Sequence, residues 1–218
     1  MNSVLFARVR ALVDGLTGAG EAGLRCTPAG MLLVAEGQHP AVEEVRLGQS
    51  WWTKNTTLAA ALTAMPTTTS GLTLYNGEVQ GGRCYIVHRV TVAEEIPDAT
   101  QQDSMAIWVA CGRSFTAPTA GAVATGSYSG IKTYPGSAIV AVAATTVVAD
   151  SPWLPVGTSA PGNTQYTGSN FRTTEVNFGR PFVVVPGGAF HLAASKLAGV
   201  ASQTRYVIHW TEVQLVVA

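Results

Sequence analysis

An active site in this chain would have to be built from few parts. There are four histidines, three cysteines and thirteen carboxylates in 218 residues. Gly18-Ala19-Gly20-Glu21-Ala22-Gly23 matches a dinucleotide-binding pattern in letters only. That chemistry needs a strand before the glycines and a helix opening after them. Here a helical stripe precedes, and Pro28 follows too soon for a long helix. Gly126-Ser127-Tyr128-Ser129-Gly130 resembles a nucleophile elbow, but Tyr128 stands where a serine must present its hydroxyl. The segment reads as a flexible loop. No GxxxxGK[ST] is present to cradle phosphates, and no HExxH to hold a metal.

The remaining polar groups are scattered. His39, His88, His191 and His209 lie far apart, the last three in strand-like runs, and read as histidines satisfied by neighbours. His191 with Ser195 is the one near Ser/His pair, with nothing close by to complete a triad. Glu43-Glu44 and Glu94-Glu95 are adjacent, so on a strand each pair splits to opposite faces. A glycosidase needs two carboxylates facing one cleft, about 5–10 Å apart. Glu94, Glu95, Asp98 and Asp103 read as a solvated turn or a weak cation site. Cys26, Cys84 and Cys111 form no CxxC pair or Cys/His cluster, and Cys84 and Cys111 read as buried thiols. No catalytic residue, cofactor site or metal site is expected, and the chain reads as non-enzymatic.

The tryptophans carry more information. Trp108 and Trp210 sit in apolar strands and are expected in the core. Trp51, Trp52 and Trp153 are flanked by loop residues and are the candidate interface anchors, since Trp dominates interface hot spots. Arg172, with Arg89, Arg113, Arg180 and Arg205, could supply accompanying ion pairs.

The elements that would hold these residues are strands. Leu72–Tyr75 alternates and stops at Asn76-Gly77, a strong turn dipeptide. Runs over 83–93, 105–111, 138–149, 182–185, 189–193 and 206–217 are rich in β-branched and aromatic residues. Gly-, Ser-, Thr- and Pro-rich stretches at 112–137 and 155–175 read as loops, and Leu58–Leu62 as a helical turn. The expected fold is all-β, an antiparallel β-sandwich of jelly-roll type over 67–218. An N-terminal arm and connecting segment is expected over 1–66, with a short helix at about 3–16 and a strand at about 31–35.

Composition narrows the function classes. Thirteen basic and thirteen acidic residues make 12% of the chain and sum to zero net charge, against a usual charged share of about 25%. Broad nucleic-acid binding relies on clustered Lys and Arg, so no specific nucleic-acid partner is expected. No apolar run approaches the roughly 18 residues of a membrane span. The opening MNSVLFARVRALVDGL does not read as a signal peptide, which implies synthesis in a cytoplasm. A near-neutral, charge-poor surface promotes association. A homo-oligomer is therefore expected.

Three segments extend this reading. TTTSGLTLYNGE (67–78), the strand Arg83-Cys84-Tyr85-Ile86-Val87-His88-Arg89-Val90 and the closing Ile208-His209-Trp210-Thr211-Glu212-Val213 resemble structural proteins of tailed bacteriophages. The Val185-Pro186-Gly187-Gly188 turn is similar to those of jelly-roll virion modules. The resemblance covers residues 67–218. It implies a capsid decoration (cement), head-fibre or tail-associated protein located in the virion. Its implied partners are copies of itself, with a trimer favoured, and other virion proteins such as the major capsid protein. A carbohydrate- or receptor-binding module of a virion fibre is the alternative.

Overall fold

Side chains of a strand alternate between its two faces, so a strand with one apolar face must cover another layer. The described residues form eleven strands: β1 Ser50–Asn55, β2 Ala59–Ala60, β3 Leu72–Asn76, β4 Cys84–Ile96, β5 Met105–Gly112, β6 Val123–Ser127, β7 Ala138–Val142, β8 Leu154–Ser159, β9 Arg172–Val184, β10 Ala189–Lys196 and β11 Gln203–Val213. The computed structural model describes residues 45, 48–96, 104–112, 117–121, 123–130, 133–142, 153–159, 172–196 and 202–214. All of them belong to the compact unit Pro40–Ala218. The helix expected at 3–16 and the strand expected at 31–35 lie outside the described residues.

The strands form two antiparallel sheets. The first runs β6-β1-β11-β4-β9, with β2 also paired to β11, and the second runs β7-β3-β10-β5-β8. Their facing surfaces share one apolar core. Tyr85, Val87, Val90 and Val92 of β4 and Tyr206, Ile208 and Trp210 of β11 come from the first sheet. Leu72 and Leu74, Met105, Ile107 and Val109, and Phe190 and Leu192 come from the second. Each such side chain, fully buried, contributes about 1.5–3 kcal/mol. The result is a β-sandwich.

Several expectations give way to this arrangement. The boundary at 66/67 does not divide the sheet, because β1 and β2 precede it and both pair with β11. The helical turn expected at Leu58–Leu62 is extended chain instead: Ala59 and Ala60 pair with Thr204 and Gln203, and Leu62 bridges Ser195. The loops expected at 112–137 and 155–175 contain β6, β8 and the start of β9. These strands lie at sheet edges, where Pro155, Gly157 and Pro181 are tolerated and one side of the ladder needs no partner. Asn76-Gly77 makes no tight hairpin, since β3 and β4 belong to different sheets. Asn76 is a buried staple. Its amide donates to the carbonyls of Arg83 (2.8 Å) and Val184 (2.9 Å), and its oxygen accepts from Glu78 N–H (3.0 Å).

Asn55 plays the same part at the end of β1. It is buried, its Nδ2 donates to the carbonyls of Thr57 (2.7 Å) and Thr204 (3.2 Å), and its Oδ1 accepts from Tyr206 N–H (2.7 Å). The Asn55 side chain is therefore committed to holding β1 against β11. Asn55→Ala removes three hydrogen bonds worth about 1 kcal/mol each and leaves buried backbone groups unpaired. A stability loss of about 3 kcal/mol is expected, measured by urea denaturation.

Candidate interaction site

The solvent side of the first sheet is organised in rows. Cross-strand pairing lines up Gly126, Trp52, His209, Arg89 and Asn177 across five strands. The next row is Ala124, Lys54, Val207, Thr91 and Glu175. Directly opposed residues of a sheet touch, so these rows bring together groups that are far apart in the chain. The alignment depends on a bulge. The β4–β11 register shifts between His209 and Trp210, with His88 as the extra residue, and this sets Arg89 directly opposite His209.

Tyr128 completes the cluster from the turn after β6. Gly130 closes that turn with φ 79°, Ser129 N–H donates to Ser127 Oγ (3.0 Å), and Tyr128 N–H donates to Ser50 O (3.2 Å). The loop expected here is thus a built turn that lays the Tyr128 ring over the His209 imidazole, centroids 6.0 Å apart. Arg89 Nη2 donates to Tyr128 Oη (2.8 Å), and the phenol hydrogen-bonds His209 Nδ1. A guanidinium cannot accept a hydrogen bond, so the phenol passes its own proton toward Nδ1. The neutral imidazole then carries its proton on Nε2 and donates to Thr91 Oγ1 (3.2 Å). Arg89 Nη1 lies 3.5 Å from Glu175 Oε1, which also accepts from Asn177 Nδ2 (3.0 Å).

The electrostatics favour this neutral tautomer. Burial lowers the His209 pKa to about 4, with the positive charge of Arg89 and the neighbouring His88 acting in the same direction and Glu175 opposing. Beside the cluster, the Trp52 ring rests on Gly126, where a Cβ would collide with it, and Lys54 Nζ stands 5.9 Å from the ring centroid. Tyr128 keeps 41% of its surface exposed. The face thus offers two aromatic rings, a cation and several polar groups whose donors and acceptors are fixed in place.

The four residues singled out from sequence do not come together. Trp52 lies on this face. Trp51, its neighbour on β1, points the other way into the core, where it meets Tyr134 edge-on at 4.7 Å; a residue consumed by its own core cannot anchor a partner. Trp153 packs by Ala189 and His191 of the second sheet, and its Nε1 donates to Thr67 O (3.0 Å). Arg172 starts β9 opposite Glu94, away from Trp52. Trp210 is buried as expected, whereas Trp108 is half-buried and donates to Ser195 Oγ (2.8 Å).

Sequence reasoning missed the Arg89–Tyr128–His209–Thr91 set. Its trace is the polar member at every second position of strands that are otherwise apolar, Arg89 and Thr91 on β4 and His209 and Thr211 on β11. The solvated-turn reading of Glu94 and Glu95 also changes. Glu94 is buried against Lys196 and Glu95 pairs with Arg205 on the outer face, while Asp98 and Asp103 lie outside the described residues. His191 is buried and accepts from or donates to Thr73 Oγ1 (2.9 Å), which in turn bonds Ser70. Cys84 is buried, and burial raises the Cys111 thiol to about 11. Among the described residues, no group of three or more His, Cys, Asp or Glu is placed to hold a metal ion. No helix among them is long and apolar enough to cross a membrane.

No family model matches the chain. No curated protein matches it either. Among solved structures, a chain of the cryo-electron microscopy structure of Mud Crab Dicistrovirus aligns over 92% of this chain and 85% of its own length. The identity is 10% and the TM-score 0.21, too low to establish a shared fold.

The histidines give the pH dependence a definite sign. His209 and His191 are both lowered by burial from 6.5 to about 4, so the unfolded chain takes up their protons first as pH falls. Stability drops between pH 6.5 and about 4 and levels off below, as far as the histidines are concerned. Glu95, held down by Arg205, and Glu175, held down by Asn177, act only below their ordinary 4.5. Denaturant midpoints should therefore already fall above pH 4.5. His209→Gln should lessen that fall without abolishing it, because His191 keeps its share.

Proposed function

We propose that the chain is a non-enzymatic structural component of a virus particle. The type favoured is a bacteriophage capsid decoration or other head- or tail-associated protein that works by contact with copies of itself and with shell proteins. The observation that carries this reading is the strand order. Leaving out β2, β6 and β7, the sheets run β1-β11-β4-β9 and β3-β10-β5-β8. Successive strands β1, β3, β4 and β5 alternate between sheets, and β8, β9, β10 and β11 return between them. That is the interleaving of an eight-stranded jelly roll, an architecture used by viral shell and lectin domains. In this description β6 and β7 are an insertion that extends one edge of each sheet.

The distribution of charge supports the same reading. Among the described residues, four ion pairs, Arg83–Glu212, Arg89–Glu175, Lys196–Glu94 and Arg205–Glu95, engage four acidic and four basic side chains. Besides these pairs, the outer rows of the first sheet carry Trp52, Val207, Thr91 and Asn177, with Lys54 over the Trp52 ring. A surface of that kind suits burial against a neighbour, at about 800 Å² per partner in a standard interface.

The second reading, a carbohydrate- or receptor-binding module, is favoured by Trp52 and Tyr128 beside Asn177 and Glu175 on one open face. Light scattering separates the two. Val207→Glu combined with Trp52→Glu places charge on the outer face and should leave cooperative unfolding intact while reducing the wild-type oligomer to monomers. An oligomer unaffected by these changes moves the contact elsewhere. Specific retention of wild type on a glycan array, lost in Trp52→Ala, would establish the second reading instead.

A further inference from the structure

Lys196 Nζ lies 2.6 Å from Glu94 Oε1, and each side chain is 2% exposed. Glu94 lies near the end of β4 and Lys196 ends β10, strands of different sheets, so their contact spans the interior. The other three ion pairs use arginine, and each has solvent on its cationic side chain, from 22% to 52% exposed. The Lys196–Glu94 pair alone, among the described ion pairs, joins a primary amine to a carboxyl group out of contact with water. As a simple ion pair it is a poor stabiliser, because the desolvation of two charges offsets most of their attraction.

We propose that Lys196 and Glu94 condense into an amide that covalently ties the two sheets. With Oε1 at 2.6 Å, the carboxyl carbon lies close to the roughly 3–3.5 Å from which addition begins. The ammonium passes a proton to the carboxylate within their hydrogen bond, and the free Nζ adds to Cδ. The Nζ–Cδ bond forms and a Cδ–O bond breaks. One carboxylate oxygen departs as water with two of the three ammonium protons, and the third stays on the amide nitrogen. Positive and negative charge vanish together, so no oxidant, reductant or activating group is needed.

The exclusion of water that makes the ion pair weak also protects the product, since amide hydrolysis needs a water at the same carbon. The tie would join positions 102 apart. Closing so long a loop restricts the unfolded chain more than a short crosslink does.

The test is intact mass spectrometry of the full chain, purified, incubated at room temperature and denatured. The expected mass is lighter than the sequence mass by one water, and protease digestion should yield one branched peptide carrying both residues. Lys196→Arg keeps the positive charge without a reactive amine, and its mass should equal that of its sequence. A wild-type chain at full sequence mass, with residues 94 and 196 on separate peptides, overturns the proposal and leaves an ion pair.

Discussion

Among the described residues, three acidic or basic side chains enter the space between the sheets, Glu94, Lys196 and Glu212, and each arrives with its partner already in reach. Glu94 and Lys196 meet one another. Glu212 is buried at the opposite end of β11, where Arg83 reaches it from the surface at 3.0 Å and Tyr134 hydrogen-bonds it from the β6–β7 connection. A buried charge that loses its partner costs about 3–5 kcal/mol, a large share of the stability of a domain. The strands must therefore lie in the one register that satisfies all of these groups. Apolar pairing along β4, β10 and β11 supplies the driving force, and the charged pairs at the two ends select among registers.

The same constraint shapes the aromatic interior. Tyr134 sits edge-on to Trp51 and near Trp210, while its hydroxyl serves Glu212. Burial and these bonds push its phenol well above the usual tyrosine range, and burial does the same to Tyr85. Both remain neutral. A carboxyl group placed near aromatic rings is thereby held by the Tyr134 hydroxyl and one guanidinium.

The all-β class was legible because β3, β4, β5, β10 and β11 carry strong strand residues, with Val, Ile, Tyr and Trp at close intervals. Their pairing was not legible. Which strand lies beside which depends on contacts such as Trp51 with Trp210, more than 150 residues apart, and no local pattern reports them. The edges were misread for a related reason: β6 (VATGS) and β8 (LPVGTS) have turn-like composition and are strands only because β1 and β5 offer them free hydrogen-bonding edges. Trp51 and Trp52 show the limit most sharply. Adjacent residues of one type take opposite faces, and a run of two tryptophans does not say which one faces out. For the outer-face cluster, the needed bulge at His88 left no mark in composition.

A described surface whose charges are largely paired, on a sandwich with an outer face carrying Trp52 and Val207, is expected to meet others of its kind. Contacts made by Trp52, Val207 and their uncharged neighbours would depend little on ionic strength, unlike contacts between charged patches. Sedimentation velocity over a wide range of protein concentration, at low and high salt, examines this directly. The account predicts one discrete oligomer whose population grows with concentration and does not weaken as salt is raised. A monomer at every concentration, or an assembly that dissolves in salt, would contradict it.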